Sequence, residues 1–473
     1  MNLEYLANIK PAHRQLLWQR MEMYAFIHFG MNTMTDREWG IGHEDPALFN
    51  PGDVDTDRWM EVLKDAGMTG IILTCKHHDG FCLWPSKYSR HTVAASPWRG
   101  GHGDLVREVS DSARRHGLKF GIYLSPWDRT EATYGQGAPY DDFYVNQLVE
   151  LLTRYGPIFS VWLDGACGEG PNGRRQRYDW DRYYQVIRSL QPEAVISVSG
   201  PDVRWCGNEA GYVRRNEWSV VPRRLQSAEL TAEKSQKCDD GHFSRLVRSD
   251  EEDLGSRSAL SDYDGPLVWY PAEVNTSIRP GWFHHASENV EVRTADELFS
   301  LWLSAVGGNA CFLLNVPPDR DGRFSPGDVG SLTGLGARIR DFRRRFITTG
   351  MSMYYSSNPL GVWKDQLTST DPDSGYWMAD ADDRMPKIVI DFDRQRRIDA
   401  FVLREHIELG QRVEGAELYG GRGSDMRLLA ASESVGYQRI WRFEPVEISH
   451  LELRINEFRA TPMLSFCAAV EAG

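Results

Sequence analysis

The run IFSVWLDG, residues 158–165, packs five apolar side chains around one serine and then stops at an aspartate and a glycine. An apolar run this short, closed by turn residues, reads as a buried strand. The aspartate at its lip, Asp164, loses water there, so it persists only if it is hydrogen-bonded, paired or required. The small residues that follow in GACGEG (165–170) clear space above it for a ligand. An aspartate that merely caps the next loop is the competing reading. Period-two alternation places Trp162 on the same side of the strand as Asp164, toward the interior that the strands enclose.

Similar runs recur on both sides: MYAFIHFG (23–30), GIILTCKHH (70–78), LKFGIYLSPW (118–127), AVISVSG (194–200), LVWYPAE (267–273) and ACFLLNV (310–316). Between them lie segments of helical period, TDRWMEVLKDAG (56–67), GDLVREVSDSARRHG (103–117), DDFYVNQLVELLTRYG (141–156), YDWDRYYQVIRSLQP (178–192) and ADELFSLWLSAVGG (295–308). Several begin behind an aspartate cap and end at glycine or proline. Repeated βα units imply parallel strands. Seven strands, with one more concealed, predict a (β/α)8-like barrel of the TIM type with an incomplete ring of helices. The rival, a doubly wound open sheet, lacks its G-x-G-x-x-G turn after the first strand. The barrel also accounts for the polar residues at strand C-terminal ends, namely His28, His77, His78, Trp127, Asp164 and Glu273, because barrel enzymes place their chemistry there.

Beyond the helix RIRDFRRRF the texture changes to short strands such as PKIVIDFD, GAELYGG and SHLELRIN, which predict a C-terminal all-β sandwich. The expected division is a catalytic barrel over residues 1–348 and a sandwich over residues 349–473. The sandwich reads either as a sugar-binding module or as a structural prop. The polar stretch 223–264, of mixed charge and no sustained period, reads as a long loop over the active site or as a solvated linker.

Composition narrows the function. The chain of 473 residues has a formal charge of −13, which disfavours nucleic acid as a partner. No apolar stretch reaches transmembrane length, and the N-terminus has no export signal, so the expectation is a cytoplasmic protein without a membrane partner. Seven scattered cysteines with no C-x-x-C pair imply reduced thiols and neither a disulfide framework nor a zinc site. Sixteen tryptophans supply stacking faces for a neutral sugar as well as core.

Acid–base work needs a second carboxylate, and the loop GPDVRWCGNEAGYVRRNEW (200–218) offers two, Glu209 and Glu217, between which spacing does not choose. Two carboxylates with histidines and tryptophans are the equipment of a glycosidase. Neutral imidazole can donate and accept, so His28, His77 and His78 suit vicinal hydroxyls, while Glu38 and Trp39 add an acceptor and a stacking face. A metal site would compete for these histidines. Against it, His77 and His78 project to opposite faces if both lie on a strand, and no H-x-H or H-E-x-x-H spacing occurs. No metal and no cofactor are expected.

Taken in order, FIHFGMNT (26–33), REWG (37–40), CKHHDGFCLWPSKYS (75–89), GIYLSPWD (121–128), SVWLDG (160–165), GNEAG (207–211), WYPAEVNTSIRPGWFHH (269–285) and FLLNVPPDRDG (312–322) resemble glycoside hydrolase family 29, the α-L-fucosidases, across essentially the whole chain. The GNEAG placement resembles the subgroup selective for α-1,3- and α-1,4-linked fucose on branched, Lewis-type oligosaccharides. The resemblance implies that Asp164 is the nucleophile and Glu209, in preference to Glu217, the acid/base. It further implies a fucose pocket of His28, Glu38, Trp39, His77, His78, Tyr123, Trp162 and Trp282, with Trp282 against the C5-methyl side. A galactose beside the fucose would be met by the 223–264 loop or by Glu273 and Asn275. One departure stands out: His284 occupies FHH where FYH is expected, on the outer wall. The alternatives are a fucosidase of broader linkage range and a non-catalytic carbohydrate-binding protein.

Overall fold

A computed structural model describes residues 3–237, 253–423 and 425–473. Ten strands belong to its first part: β1 (Met23–Ile27), β2 (Gly70–Lys76), β3 (Lys119–Leu124), β4 (Ser160–Leu163), β5 (Val195–Val198), β6 (Arg204–Trp205), β7 (Val220–Pro222), β8 (Leu267–Trp269), β9 (Ala272–Ser277) and β10 (Ala310–Asn315). Eight of them form one sheet in the order β5-β4-β3-β2-β1-β10-β9-β6, with every pairing parallel. A parallel bridge from Ser197 to Val203 nearly closes the ring between β5 and β6. The architecture is therefore a TIM-like barrel.

Alternation along the strands sorts the side chains. On β1, Met23, Ala25 and Ile27 face the surrounding helices, while Tyr24 and Phe26 join Trp162, Tyr123 and Leu313 in the barrel interior. Helices Thr56–Asp65, Leu105–His116 and Trp180–Leu190 each start behind an aspartate, Asp55, Asp104 or Asp179, whose carboxylate accepts a first-turn N–H. The helix Ala295–Val306 starts at a Thr294–Glu297 capping box. Such caps satisfy backbone donors that the helix itself leaves open.

Two strand expectations change. The concealed eighth strand is β6, only two residues long and too short to show any period. LVWYPAE divides at Tyr270–Pro271: its first half is β8, paired antiparallel with β7 outside the barrel, and its second half opens barrel strand β9. Proline has no N–H to give a ladder, which is the physical reason for the break. Glu273 consequently lies near the start of its barrel strand, not at the C-terminal end, and is wholly buried.

The chain passes from β5 to β6 without a helix. Val198, which ends β5, takes a φ of 70°, a left-handed conformation costly for a β-branched residue. Its N–H donates to the Val203 carbonyl at 3.0 Å, which locks the turn.

The C-terminal strands form an antiparallel sheet, whose long members Lys387–Glu405 and Arg439–Phe458 carry register shifts and enclose a core of Ile388, Phe401, Leu418 and Leu453. The last strand, Met463–Glu471, is apolar on both faces. Cys467 and Ala469 enter that core, whereas Phe466, Ala468 and Val470 join the barrel cluster with Trp302 and Phe342. This strand packs the sandwich against the barrel. The six cysteines other than Cys238, which lies outside the described residues, are free. No helix among the described residues is long and apolar enough to cross a membrane.

Candidate active site

One cavity at the C-terminal end of the barrel collects Asp164, Glu209 and the eight residues expected to form the sugar pocket. Phe26 and His28 come from β1 and its end, His77 and His78 from beyond β2, Tyr123 from β3, Trp162 and Asp164 from β4, and Glu38, Trp39, Glu209 and Trp282 from loops. A larger cleft, of about 500 Å³, opens between barrel and sandwich, but its Arg257 and Glu414 already pair with each other. Chemistry, not size, selects the smaller one.

Asp164 is held from two sides. Tyr123 O–H donates to Oδ2 at 2.8 Å and Ala166 N–H to Oδ1 at 2.8 Å. Burial raises its pKa, and these donors together with the Gly165 N–H oppose the rise. The glycines beyond it leave room for neighbours. A Cβ on Gly165 would lie 2.4 Å from Ser235 Oγ and 2.8 Å from Thr231 Cγ2, and one on Gly168 would lie 2.4 Å from the Trp127 ring. Glu169 contributes its backbone: its carbonyl accepts the Trp127 indole N–H at 3.0 Å.

The three histidines are neutral and their tautomers are set by their partners. Asn315 Nδ2 donates to Ser277 Oγ and to the Trp282 carbonyl, so its Oδ1, 2.8 Å from His28 Nδ1, must accept from that ring. Asn32 Nδ2 donates to the Glu38 carbonyl and to His77 Nδ1 at 3.0 Å, which leaves the His77 proton on Nε2. The Ser125 hydroxyl proton goes to the Trp127 carbonyl, so His78 Nδ1–H donates to Ser125 Oγ at 2.7 Å. Burial lowers the pKa of all three, His28 and His78 to about 3. The free ring nitrogens are thus acceptor, donor and acceptor on His28, His77 and His78. His78 Nε2 stands 3.7 Å from Asp164 Oδ2. Two acceptors that close suit a donor placed between them, a role open to a ligand hydroxyl.

His77 and His78 both face the cavity because β2 ends at Lys76; beyond the strand, alternation no longer applies, and their rings lie 4.0 Å apart. Beneath them Lys76 is fully buried, its Nζ 2.8 Å from Asp128 Oδ2 and 2.9 Å from Gln147 Oε1. Tyr123 stacks on His77 and on Trp162. Trp39 meets His78 and Trp127 edge to face.

Glu38 fastens the opposite wall. Its carboxylate accepts the backbone N–H groups of Trp282 and Phe283 at 2.8 and 2.9 Å and lies 2.9 Å from His285 Nε2. His285 also reaches Asp36 at 2.8 Å, and the bond to Glu38 is the main cause that raises its pKa to about 9. His284 departs from the expected outer wall: it turns away to Ser325 Oγ at 3.0 Å. Trp282 Nε1–H donates to Glu209 Oε2 at 3.0 Å.

Glu217 is elsewhere. It is fully buried in an ion pair with Arg204, and Arg214 lies 3.4 Å away. Glu273 and Asn275, offered for a neighbouring galactose, are inside the barrel with exposures of 0% and 2% and cannot touch one. Ala166, Ser235 and Gln236 line the cavity without having been singled out in the sequence. The latter two belong to the 223–264 stretch, of which 238–252 lie outside the described residues. Among the described residues, no group of three or more His, Cys, Asp or Glu side chains is placed to hold a metal ion.

The α-L-fucosidase family profile matches residues 18–341. The chain belongs to that family. It is 36% identical over 468 residues to α-L-fucosidase 1 of Arabidopsis thaliana, covering 96% of this chain and 86% of the plant protein. Among solved structures, a glycoside hydrolase family 29 member from a rumen bacterium is 35% identical at a TM-score of 0.79, over 98% of this chain and 78% of the other. A Ruminococcus gnavus family 29 fucosidase, solved in complex with fucose, is 26% identical at a TM-score of 0.85, over 98% and 95%. The protein is accordingly a glycoside hydrolase with α-L-fucosidase activity, and the cavity is its candidate fucose site.

Proposed function

We propose that this fucosidase removes terminal L-fucose, with retention, from α-1,3 and α-1,4 linkages of branched, Lewis-type oligosaccharides. The observation that carries the chemistry is the shared cavity of Asp164 and Glu209, walled by three neutral histidines of fixed tautomer. Asp164 attacks the anomeric carbon as Glu209 protonates the departing sugar oxygen, forming a fucosyl ester on Asp164. Glu209, now a base, takes a proton from water, and that water breaks the ester to release fucose. Tyr123 and Ala166 keep one Asp164 oxygen each in place. The histidines read the fucose hydroxyls, Trp162 and Trp39 border the ring, and Trp282 both closes the wall and holds Glu209. The linkage preference rests on the GNEAG placement of the acid/base. With Glu273 and Asn275 buried, contacts to a neighbouring galactose fall to Ser235 and Gln236 at the cavity edge.

Proton NMR of an early time point should show α-fucose as first product; β-fucose would sink the mechanism. Asp164→Gly should lose roughly 10⁴-fold or more in kcat and recover with azide, giving β-fucosyl azide. A panel of α-1,2, α-1,3, α-1,4 and α-1,6 fucosides at matched concentration tests linkage, and equal turnover of an unbranched α-1,2 fucoside and a Lewis trisaccharide refutes the preference.

A further inference from the structure

Behind the cavity, in the barrel interior, lies a carboxylate that the reaction above does not use. Glu273 points inward from β9 and is 0% exposed. Its Oε1 accepts the indole N–H of Trp162 at 2.8 Å, and its Oε2 accepts the Tyr24 hydroxyl. Tyr24 oxygen in turn accepts the Trp18 indole N–H at 2.9 Å, which commits the single tyrosine proton to Glu273. Both partners therefore act only as donors toward it, an arrangement made for an ionised acceptor. Among the described residues, no lysine, arginine or histidine hydrogen-bonds or ion-pairs with it. A buried charge without a counter-ion weakens a fold, so apolar packing alone does not explain a glutamate here.

Trp162 connects this carboxylate to the chemistry. Its indole lines the cavity, stacks on Tyr123, which itself holds Asp164, and lies two residues before Asp164. We propose that Glu273 is a positioning residue of the fucosidase: by accepting the Trp162 N–H it fixes that ring and keeps it electron-rich beneath a sugar whose anomeric carbon gains positive charge at the transition state. The proposal rests on the cavity being the fucose site. Ring–cation attraction grows as charge develops, so the effect falls on kcat more than on KM. Burial raises the Glu273 pKa to about 7, opposed by its two donors. The titratable groups facing it are Tyr24 on β1 and Cys311 on β10, both driven upward by burial. Glu273 is thus the member of this set that titrates between pH 5 and 9.

Glu273→Gln, assayed with an aryl α-L-fucoside from pH 5 to 9, should lower kcat about 5- to 30-fold with KM changed less than about 2-fold. Wild-type kcat should rise with pH near 7, and that rise should be absent from this variant and present in Glu273→Asp. In a Trp162→Phe background the same glutamine should cost less than about 2-fold, since its route is gone. An unchanged kcat and pH profile in Glu273→Gln overturns the proposal, as does an undiminished loss in the Trp162→Phe background. A wild-type enzyme that leaves the fucoside intact overturns the reading of the cavity and this proposal with it, whereas normal wild-type turnover isolates the failure to Glu273.

Discussion

The two sides of the barrel are built differently. From β1 to β4 each strand is followed by a helix, and apart from Glu38 and Trp39 on the loop after β1 the side chains that reach the cavity stand at or near strand ends. From β5 through β6 to β9 the pattern breaks: β6 has only two residues, no helix separates it from β5, and Glu209 and Trp282 arrive on loops. The regular side carries the proposed nucleophile with both oxygens already bonded to the scaffold. The irregular side carries the proposed acid, which accepts the Trp282 indole N–H from another loop. A nucleophile must sit still relative to one carbon, while an acid must meet the oxygen of the departing group; rigid element and loop match those two duties.

The irregular side is where substitutions should discriminate. Glu209→Ala should lower kcat/KM by about 10²–10⁴-fold for fucosides with sugar leaving groups and far less for fucosyl fluoride, which needs no proton. An equal loss on both would remove Glu209 from the acid role. Glu217→Gln, eight residues on in the same loop, should leave the pH profile of activity alone and destabilise the fold by about 3–5 kcal/mol, seen in urea unfolding, because it leaves Arg204 buried without its partner. Trp282→Phe keeps a ring but removes the donor to Glu209. A donor favours the ionised carboxylate, so its loss should move the basic limb of kcat/KM to higher pH, with a fall in rate of about 10-fold or less. The smallest effect is expected for His285→Asn. Protonated His285 stabilises the 282–285 loop fully below its unfolded pKa of about 6.5 and loses that contribution as pH rises through about 9. Melting curves of variant and wild type should differ at pH 6 and converge by pH 10.

The same division governs what the sequence discloses. The capped helices and the runs over β1 to β4 carry enough period and punctuation to be read directly, and Trp162 beside Asp164 follows from alternation. Two residues of β6 carry no period, and the run LVWYPAE conceals a change of sheet at Pro271. Glu209 and Glu217 look equivalent because the shared loop holds arginines near both, and only the fold shows Arg204 of β6 turning back to pair with Glu217 beside its near neighbour Arg214. Asn32, Ser125 and Asn315, which decide the histidine tautomers, stand inside recognisable runs, but only geometry reveals which ring each one meets.

Gly165 has a bearing on engineering. Its missing side chain is filled by Thr231 and Ser235, so the residue next to the proposed fucosyl ester also sets how far the segment carrying Gln236 leans over the mouth. The proposed reaction centre and the segment lining the cavity therefore meet at one hydrogen atom. Enlarging residue 165 is a single handle on the balance between water and a second sugar as acceptor of the fucosyl group.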